Sequence, residues 1–165
     1  MTYSVSSINN IEIERKFLVK DDSYKRLATG QVRIQQGYLC LNPNCSVRVR
    51  RWNDQGFLTI KSKAGENGFS RYEFEKEITV QEVNELMQLA LPGRVDKVRW
   101  LVPMKEGLTC EVDEFLGENE GLVMAEVELP DEQMEFEHPA FLGEEVTMDR
   151  RYYNSYLSQH PYRTW

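Results

Sequence analysis

The chain is poor in the residues that build soft-metal sites and covalent frameworks. It has three cysteines, Cys40, Cys45 and Cys110, with no CxxC pair, and only two histidines, His138 and His160. A Cys/His zinc site therefore has almost nothing to draw on, and the thiols are expected to be free. No apolar run approaches the roughly 20 residues of a membrane-crossing helix. The polar start MTYSVSSINN also lacks the basic and apolar regions of a secretory leader, so the expected location is cytoplasmic, with no membrane partner. A basic excess is missing too. The formal charge of -7 argues against a general affinity for nucleic acid or anionic lipid, so any anion site must be local. No repeat, low-complexity tract or linker divides the 165 residues, of which 41% are hydrophobic and 28% charged. One domain spanning 1–165 is expected.

What the chain does have is alternation. In IEIERKFLV, Glu12, Glu14 and Lys16 alternate with Ile11, Ile13 and Phe17, the period-two pattern of a strand. SVRVRR sets Arg48 and Arg50 against Val47 and Val49. FLTIKSK sets Thr59, Lys61 and Lys63 against Leu58 and Ile60. SRYEFEKEI sets Arg71, Glu73, Glu75 and Glu77 against Tyr72, Phe74 and Ile78. DKVRWLV does the same with Lys97 and Arg99, CEVDEF with Glu111 and Asp113, and AEVEL with Glu126 and Glu128. With a weaker strand in RIQQGYLCL, about eight strands are expected, joined by turns such as NPNC, NDQG, AGENG and GENEG. Helices are fewer. Thr79 and Glu82 form a capping-box signature ahead of VQEVNELMQLAL, which Pro92-Gly93 ends. A short helix is expected around DDSYKRLA with Asp21 or Asp22 as cap. A last one runs from Asp149 through DRRYYNSYLSQ, with Tyr152, Tyr153, Tyr156 and Leu157 as core contacts.

A charged row on a strand ordinarily faces water, as one side of an antiparallel sheet commonly does. Here the rows are sorted by sign. Arg48/Arg50, Lys61/Lys63 and Lys97/Arg99 are basic pairs, whereas Glu12/Glu14, Glu111/Asp113 and Glu126/Glu128 are acidic, which a mixed solubilising surface does not favour. The alternative is a closed, mainly β barrel of the α+β class, with eight antiparallel strands, a charged lumen and peripheral helices covering its outward apolar face. Inward bases imply a bound polyanion. Inward carboxylates without histidine or thiolate imply those same bases or a hard cation, Mg2+ or Mn2+. Polyanion, divalent metal and basic clamp together are the ingredients of phosphoryl transfer.

These residues resemble the CYTH superfamily, the triphosphate tunnel metalloenzymes, and within it the short bacterial tripolyphosphatases. The ExExK motif stands as Glu12, Glu14 and Lys16. It is followed in family order by QGYL from Gln36, RVR at 48–50, TIKS at 59–62, KVR at 97–99, EVD at 111–113, AEVE at 125–128 and GEEVTMDRRYYN at 143–154. The resemblance covers nearly the whole chain. It implies a tunnel that hydrolyses a linear triphosphate, most simply tripolyphosphate to pyrophosphate and phosphate, with Mg2+ or Mn2+.

By that resemblance, Glu12, Glu14 and Lys16 are catalytic. Glu12, Glu14, Asp113, Glu126 and Glu128 hold metal, and Lys16, Arg48, Arg50, Lys61, Lys97, Arg99 and Arg151 bind substrate. Tyr38, Glu73, Glu75 and Glu111 are expected as tunnel supports, and Lys63 and Glu77 as solvated strand ends. The expected partner is a small polyanion, not nucleic acid or membrane, and the expected state is a monomer or homodimer. The family also contains class IV adenylate cyclases and thiamine triphosphatases, which act on organic triphosphates. The His-Phe that precedes ExExK in the cyclases is absent, since Ser7, Ile8, Asn9 and Asn10 stand there. A non-catalytic polyphosphate or nucleotide-binding module is the remaining alternative, and it would have no need of four carboxylates beside its bases.

Overall fold

Alternation becomes strand at every place it was expected. The computed structural model describes residues 11–66 and 70–165, so the opening MTYSVSSINN and the end of the AGENG turn, from 67 to 69, lie outside the described residues. The strands are β1 (Ile11–Val19), β2 (Gly30–Asn42), β3 (Cys45–Trp52), β4 (Gln55–Ser62), β5 (Ser70–Ile78), β6 (Val95–Pro103), β7 (Thr109–Phe115), β8 (Val123–Glu128) and β9 (Leu142–Glu145). Their hydrogen-bonded order is β5-β4-β3-β2-β6-β7-β8-β1-β9, and a further β1–β5 pairing closes the first eight into a barrel. All pairings are antiparallel.

β9 is the addition to the expected eight. It pairs with the C-terminal half of β1, through Phe17–Glu145 and Val19–Leu142, along the edge that β5 occupies at Ile11–Ile13.

Register fixes which way each side chain points, because directly opposed residues share a face. Glu14 opposes Glu128, Lys16 opposes Glu126, Glu111 opposes Glu126, Arg99 opposes Asp113 and Lys61 opposes Glu73. The charged rows thus form one continuous inner surface, and the apolar rows face out. Ile13, Phe17, Val102, Cys110, Val112, Ala125 and Val127 make the main buried cluster on that outer wall.

Its cover is only partly helical, unlike the expectation. Phe136 and Phe141 come from the irregular stretch between Leu129 and Leu142, and Tyr24 comes from the four-residue helix α1 (Tyr24–Leu27). Phe136 meets Phe17 edge-on at 6.0 Å between ring centroids. α2 (Val80–Met87) packs over β2, β3 and β4, and its Thr79/Glu82 capping box forms as the sequence implied. Among the described residues no helix is long and apolar enough to cross a membrane.

Two helix details differ from expectation. Ser23, not Asp21 or Asp22, is the N-cap of α1, and Asp21 Oδ1 instead accepts from the Ser23 amide at 2.9 Å. The last helix is also broken. Asp149 caps a short 3-10 turn over Arg150–Tyr152, Tyr153 is extended at φ -77 and ψ 137, and only then does α3 (Asn154–Gln159) begin.

The break lets α3 stop one end of the barrel. Leu157 packs there with Val95, Phe115, Leu122, Met124 and Val146. Gly93 lets the chain pass close beneath: at φ +92, a Cβ there would lie 1.7 Å from the Ser158 carbonyl oxygen.

Candidate active site

The inner surface encloses a cavity of about 230 Å3, lined by residues of all eight barrel strands and by Tyr153, Asn154 and Ser155 at the α3 end. Glu12, Glu14, Lys16, Tyr38, Arg48, Arg50, Lys61, Glu73, Glu75, Lys97, Arg99, Glu111, Glu126 and Glu128 all line it. β3, with Arg48 and Arg50, stands four strands from β8, with Glu126 and Glu128, in either direction around the ring. Bases and acids therefore occupy facing walls.

Two expected site residues are placed elsewhere. Asp113 has no exposed side-chain area and does not line the cavity. It accepts from Lys97 Nζ at 2.6 Å and from Arg99 Nε and Nη2 at 2.7 and 2.8 Å, so its oxygens are committed to bases rather than offered to a metal. Arg151 is 58% exposed. It pairs with Asp149 at 2.6 Å and lies over the Tyr152 and Trp165 rings, outside the cavity lining. The position that reaches the lumen from that turn is Tyr153, because the extended backbone there points its ring inward.

The charges neutralise one another in a connected network. Lys16 Nζ lies 2.9 Å from Glu14 and 2.6 Å from Glu126. Lys61 bridges Glu12 at 2.6 Å and Glu73 at 2.9 Å. Arg99 joins Asp113 to Glu126 at 3.3 Å and also pairs with Glu111. On the β3 wall, Arg50 pairs with Glu75 at 3.0 Å, while Arg48 donates to Thr59 Oγ1 at 3.3 Å.

Lys16 is held at its backbone as well. Its amide donates to Thr147 Oγ1 at 2.9 Å, and its carbonyl accepts from Val146 at 2.8 Å. Its ammonium and the Arg71 guanidinium lie 5.6 and 5.1 Å from the Tyr153 ring centroid, within cation–π range. Arg71 also reaches toward Glu14 at 3.9 Å. Arg71, Thr59, Tyr153 and Asn154 were not singled out from sequence as site residues. Of these Arg71 and Thr59 carried a signal there, by standing in the alternating rows beside Glu73 and Lys61.

The electrostatics show a surplus on each wall. Burial alone would raise Glu14, but Lys16, Lys61 and Arg71 outweigh it and bring the carboxyl down to about 2. Glu12 goes the other way, to about 7, through burial and its neighbour Glu14. Glu128 is raised by burial and then by Glu111, Glu14 and Glu73, and Glu111 is raised chiefly by burial. Across the lumen, burial followed by Arg48 and Arg99 lowers Arg50 to about 10, and burial lowers Lys97 to about 8 despite Asp113.

Three buried guanidinium groups, those of Arg48, Arg50 and Arg71, have an Nε–H without an acceptor among the described residues. The basic wall thus has hydrogen-bonding capacity for a further anion. The acidic wall has carboxylates in excess of its cations, and their oxygens suit a hard cation. In the present arrangement no three carboxylates converge as a ligand set among the described residues. Lys16 and Lys61 lie between them.

A closed antiparallel tunnel with acids and bases on facing walls defines a class of protein built around a small, densely charged guest. The comparisons agree with that class. A family model for the CYTH domain matches residues 10–160, and the chain belongs to that family. It is 50% identical over 155 residues to an inorganic triphosphatase of Acetivibrio thermocellus, covering 93% of this chain and 97% of that one. It is 37% identical over 150 residues to an inorganic triphosphatase of Nitrosomonas europaea, covering 89% and 96%. Among solved structures, that of the inorganic triphosphatase NE1496 superposes with a TM-score of 0.62 at 32% identity, covering 95% of this chain and 97% of that one.

Proposed function

We propose that this chain is a divalent-metal-dependent triphosphatase that converts inorganic tripolyphosphate and water to pyrophosphate and phosphate. The observation that carries the proposal is the pair of orphaned guanidinium donors, on Arg48 and Arg50, facing crowded carboxylates across a cavity of about 230 Å3. The names of the two half- to third-identical relatives point the same way.

Arg48 and Arg50, two apart on β3, grip neighbouring phosphates, and Arg99, Lys97 and Lys61 complete the clamp. Arg50, Arg99, Lys97 and Lys61 are paired with Glu75, Glu111, Asp113, Glu12 and Glu73, so substrate phosphates replace carboxylates as their partners. Lys16 stays between Glu14 and Glu126 and orients both. Glu12, Glu14, Glu126 and Glu128 would hold Mg2+ or Mn2+, and the ion would supply Lewis-acid chemistry and charge neutralisation at the phosphates. Positioning and charge complementarity supply most of the acceleration, as expected for a loose phosphoryl-transfer transition state. The site is complete within one chain, which suits a monomer or homodimer acting in the cytoplasm.

The test is a panel: tripolyphosphate, ATP, thiamine triphosphate and pyrophosphate, each with Mg2+ or Mn2+, scored for phosphate and cyclic AMP. Fastest phosphate release from tripolyphosphate with either metal is expected, and its loss with chelator. Cyclic AMP in excess of phosphate from ATP overturns the assignment in favour of a cyclase. Tight binding with no turnover of any compound overturns it in favour of a binding module. Arg50→Ala should act mainly on KM, and an unchanged KM would count against the clamp.

A further inference from the structure

Gln36 is the anomaly of the barrel interior. It is 1% exposed, and both polar atoms of its amide, Nε2 and Oε1, lack a partner among the described residues. A buried carboxamide with neither donor nor acceptor satisfied is costly, and packing does not require it, because an apolar side chain of similar size would fill the space. Its position in the register is informative. Gln36 stands directly opposite Arg50 on β3, and its inward neighbour along β2 is Tyr38, itself opposite Arg48. Arg50, Tyr38 and Arg48 all line the cavity, and Arg50 is one of the guanidinium groups with an unused Nε–H. On the other flank, Gln36 opposes Val95, two residues from Lys97. Gln36 does not itself line the cavity: an uncharged group carrying one donor face and one acceptor face lies just beneath its basic wall, between the cavity-lining Arg50 and the apolar cluster around Val95.

We propose that Gln36 is a substrate-binding residue that shares the Arg50 phosphate subsite; this rests on the triphosphatase assignment above. Arg50 leaves Glu75 for a phosphate oxygen and in doing so uncovers the amide. Nε2 then donates to an oxygen of the same phosphate, and Oε1 accepts from a proton-bearing group on it, either P–OH or a water bound to it. A lysine or arginine at this position would add like charge beside Arg50 and Lys97, and a carboxylate would occupy Arg50 itself. The amide is the side chain that adds hydrogen bonds to the phosphate without competing for the clamp.

The test compares Gln36→Met and Gln36→Glu with the wild-type protein, using steady-state kinetics and the rise in Tm caused by tripolyphosphate in chelator. Met conserves volume and removes the unsatisfied amide, so the free Q36M protein should melt at or above the wild-type temperature. Its KM for tripolyphosphate should rise about tenfold with kcat within about twofold, and the ligand-induced Tm shift should shrink accordingly. Q36E should raise KM further, because its carboxylate pairs with Arg50. A KM within about twofold of wild type for Q36M, or a Q36M protein that is less stable than wild type or does not fold, assigns the amide to a structural role and overturns the proposal. A wild-type protein that neither binds nor cleaves tripolyphosphate overturns the triphosphatase assignment as well, an outcome separable from Q36M matching an active wild type.

Discussion

Replacing Asp113 by Asn tests how the lumen is held together. Asp113 is fully buried between two bases, with one oxygen accepting from Arg99 and the other shared by Arg99 and Lys97, at 2.6–2.8 Å. Asn keeps the shape but removes the only full charge that both bases touch there, leaving Lys97 and Arg99 in like-charge contact away from water. Breaking a buried pair in this way costs about 3–5 kcal/mol. At about 2–4 °C per kcal/mol for a domain of this length, Tm should fall by about 6–20 °C. The drop should be read by thermal unfolding followed by circular dichroism, in chelator, with and without tripolyphosphate. The polyanion restores negative charge beside the same two bases, so it should raise Tm more for D113N than for wild type. A drop of less than about 2 °C, in the range of an exposed pair, would refute the buried three-way pairing. An equal ligand shift for both proteins would refute the idea that substrate phosphates take over bases from internal carboxylates.

The remaining expectations concern the acidic wall, one surface arginine and pH. Glu128→Gln removes a carboxylate from a crowded set, so its Tm in chelator should equal or exceed wild type while metal-dependent phosphate release is lost; lower stability with retained activity would contradict the assignment. Arg151→Ala should leave kcat/KM within about twofold, because an exposed pair with Asp149 is worth only about 0–1 kcal/mol and the side chain does not line the cavity; a large rise in KM would return Arg151 to the site. Stability in chelator should have a maximum in pH. Glu14, at about 2 in the fold against 4.5 as an ordinary carboxyl, contributes stability that is present above 4.5 and lost as pH falls toward 2, and Asp113 and Glu126 act in the same direction. Glu12, raised to about 7, holds its proton longer in the fold than in the unfolded chain, so stability should decline as pH rises from 4.5 to 7. Urea midpoints from about pH 2 to about pH 7 check both arms, and a flat profile would contradict them.

Much of this was legible in the chain because the two periodicities are strong. Alternation identified seven of the eight barrel strands, with RIQQGYLCL read as a weaker one, and the sorting of Arg48/Arg50 from Glu126/Glu128 gave the direction of the faces, since like charges on a solvated sheet have no reason to segregate. The Thr79/Glu82 capping box is a local signal and appeared as written. What stayed illegible depends on contacts distant in sequence. The cover supplied by Phe136 and Phe141 has no period, because an irregular segment can place an aromatic wherever the barrel wall offers a recess. Four residues, Leu142–Glu145, are too few to show alternation before they pair with β1. The inward turn of Tyr153 follows from one extended residue between two helical turns, which helix periodicity hides by counting it as part of an apolar stripe. Asp113 was expected at the metal through the family resemblance of EVD at 111–113; its register with Arg99 shows its oxygens paired with bases. Gln36 carries no charge and so falls outside any pattern built on charge.

The barrel's closing seam has a consequence of its own. Among the described residues β5 meets β1 through three opposed pairs, Ile11–Tyr72, Glu12–Arg71 and Ile13–Ser70, before β1 passes to β9, whereas β2 and β3 share eight. A cylinder opens first where its rungs are fewest, so local breathing should concentrate there, and the Glu12 and Arg71 amides, which face each other across the seam, should lose protection against deuterium before those of Val49 or Val112. Glu12 sits on that hinge line and Arg71 lies directly across it. A polyanion and cation seated between them would lace the two edges together, and occupancy of the tunnel would then register in the backbone as well as in the lumen.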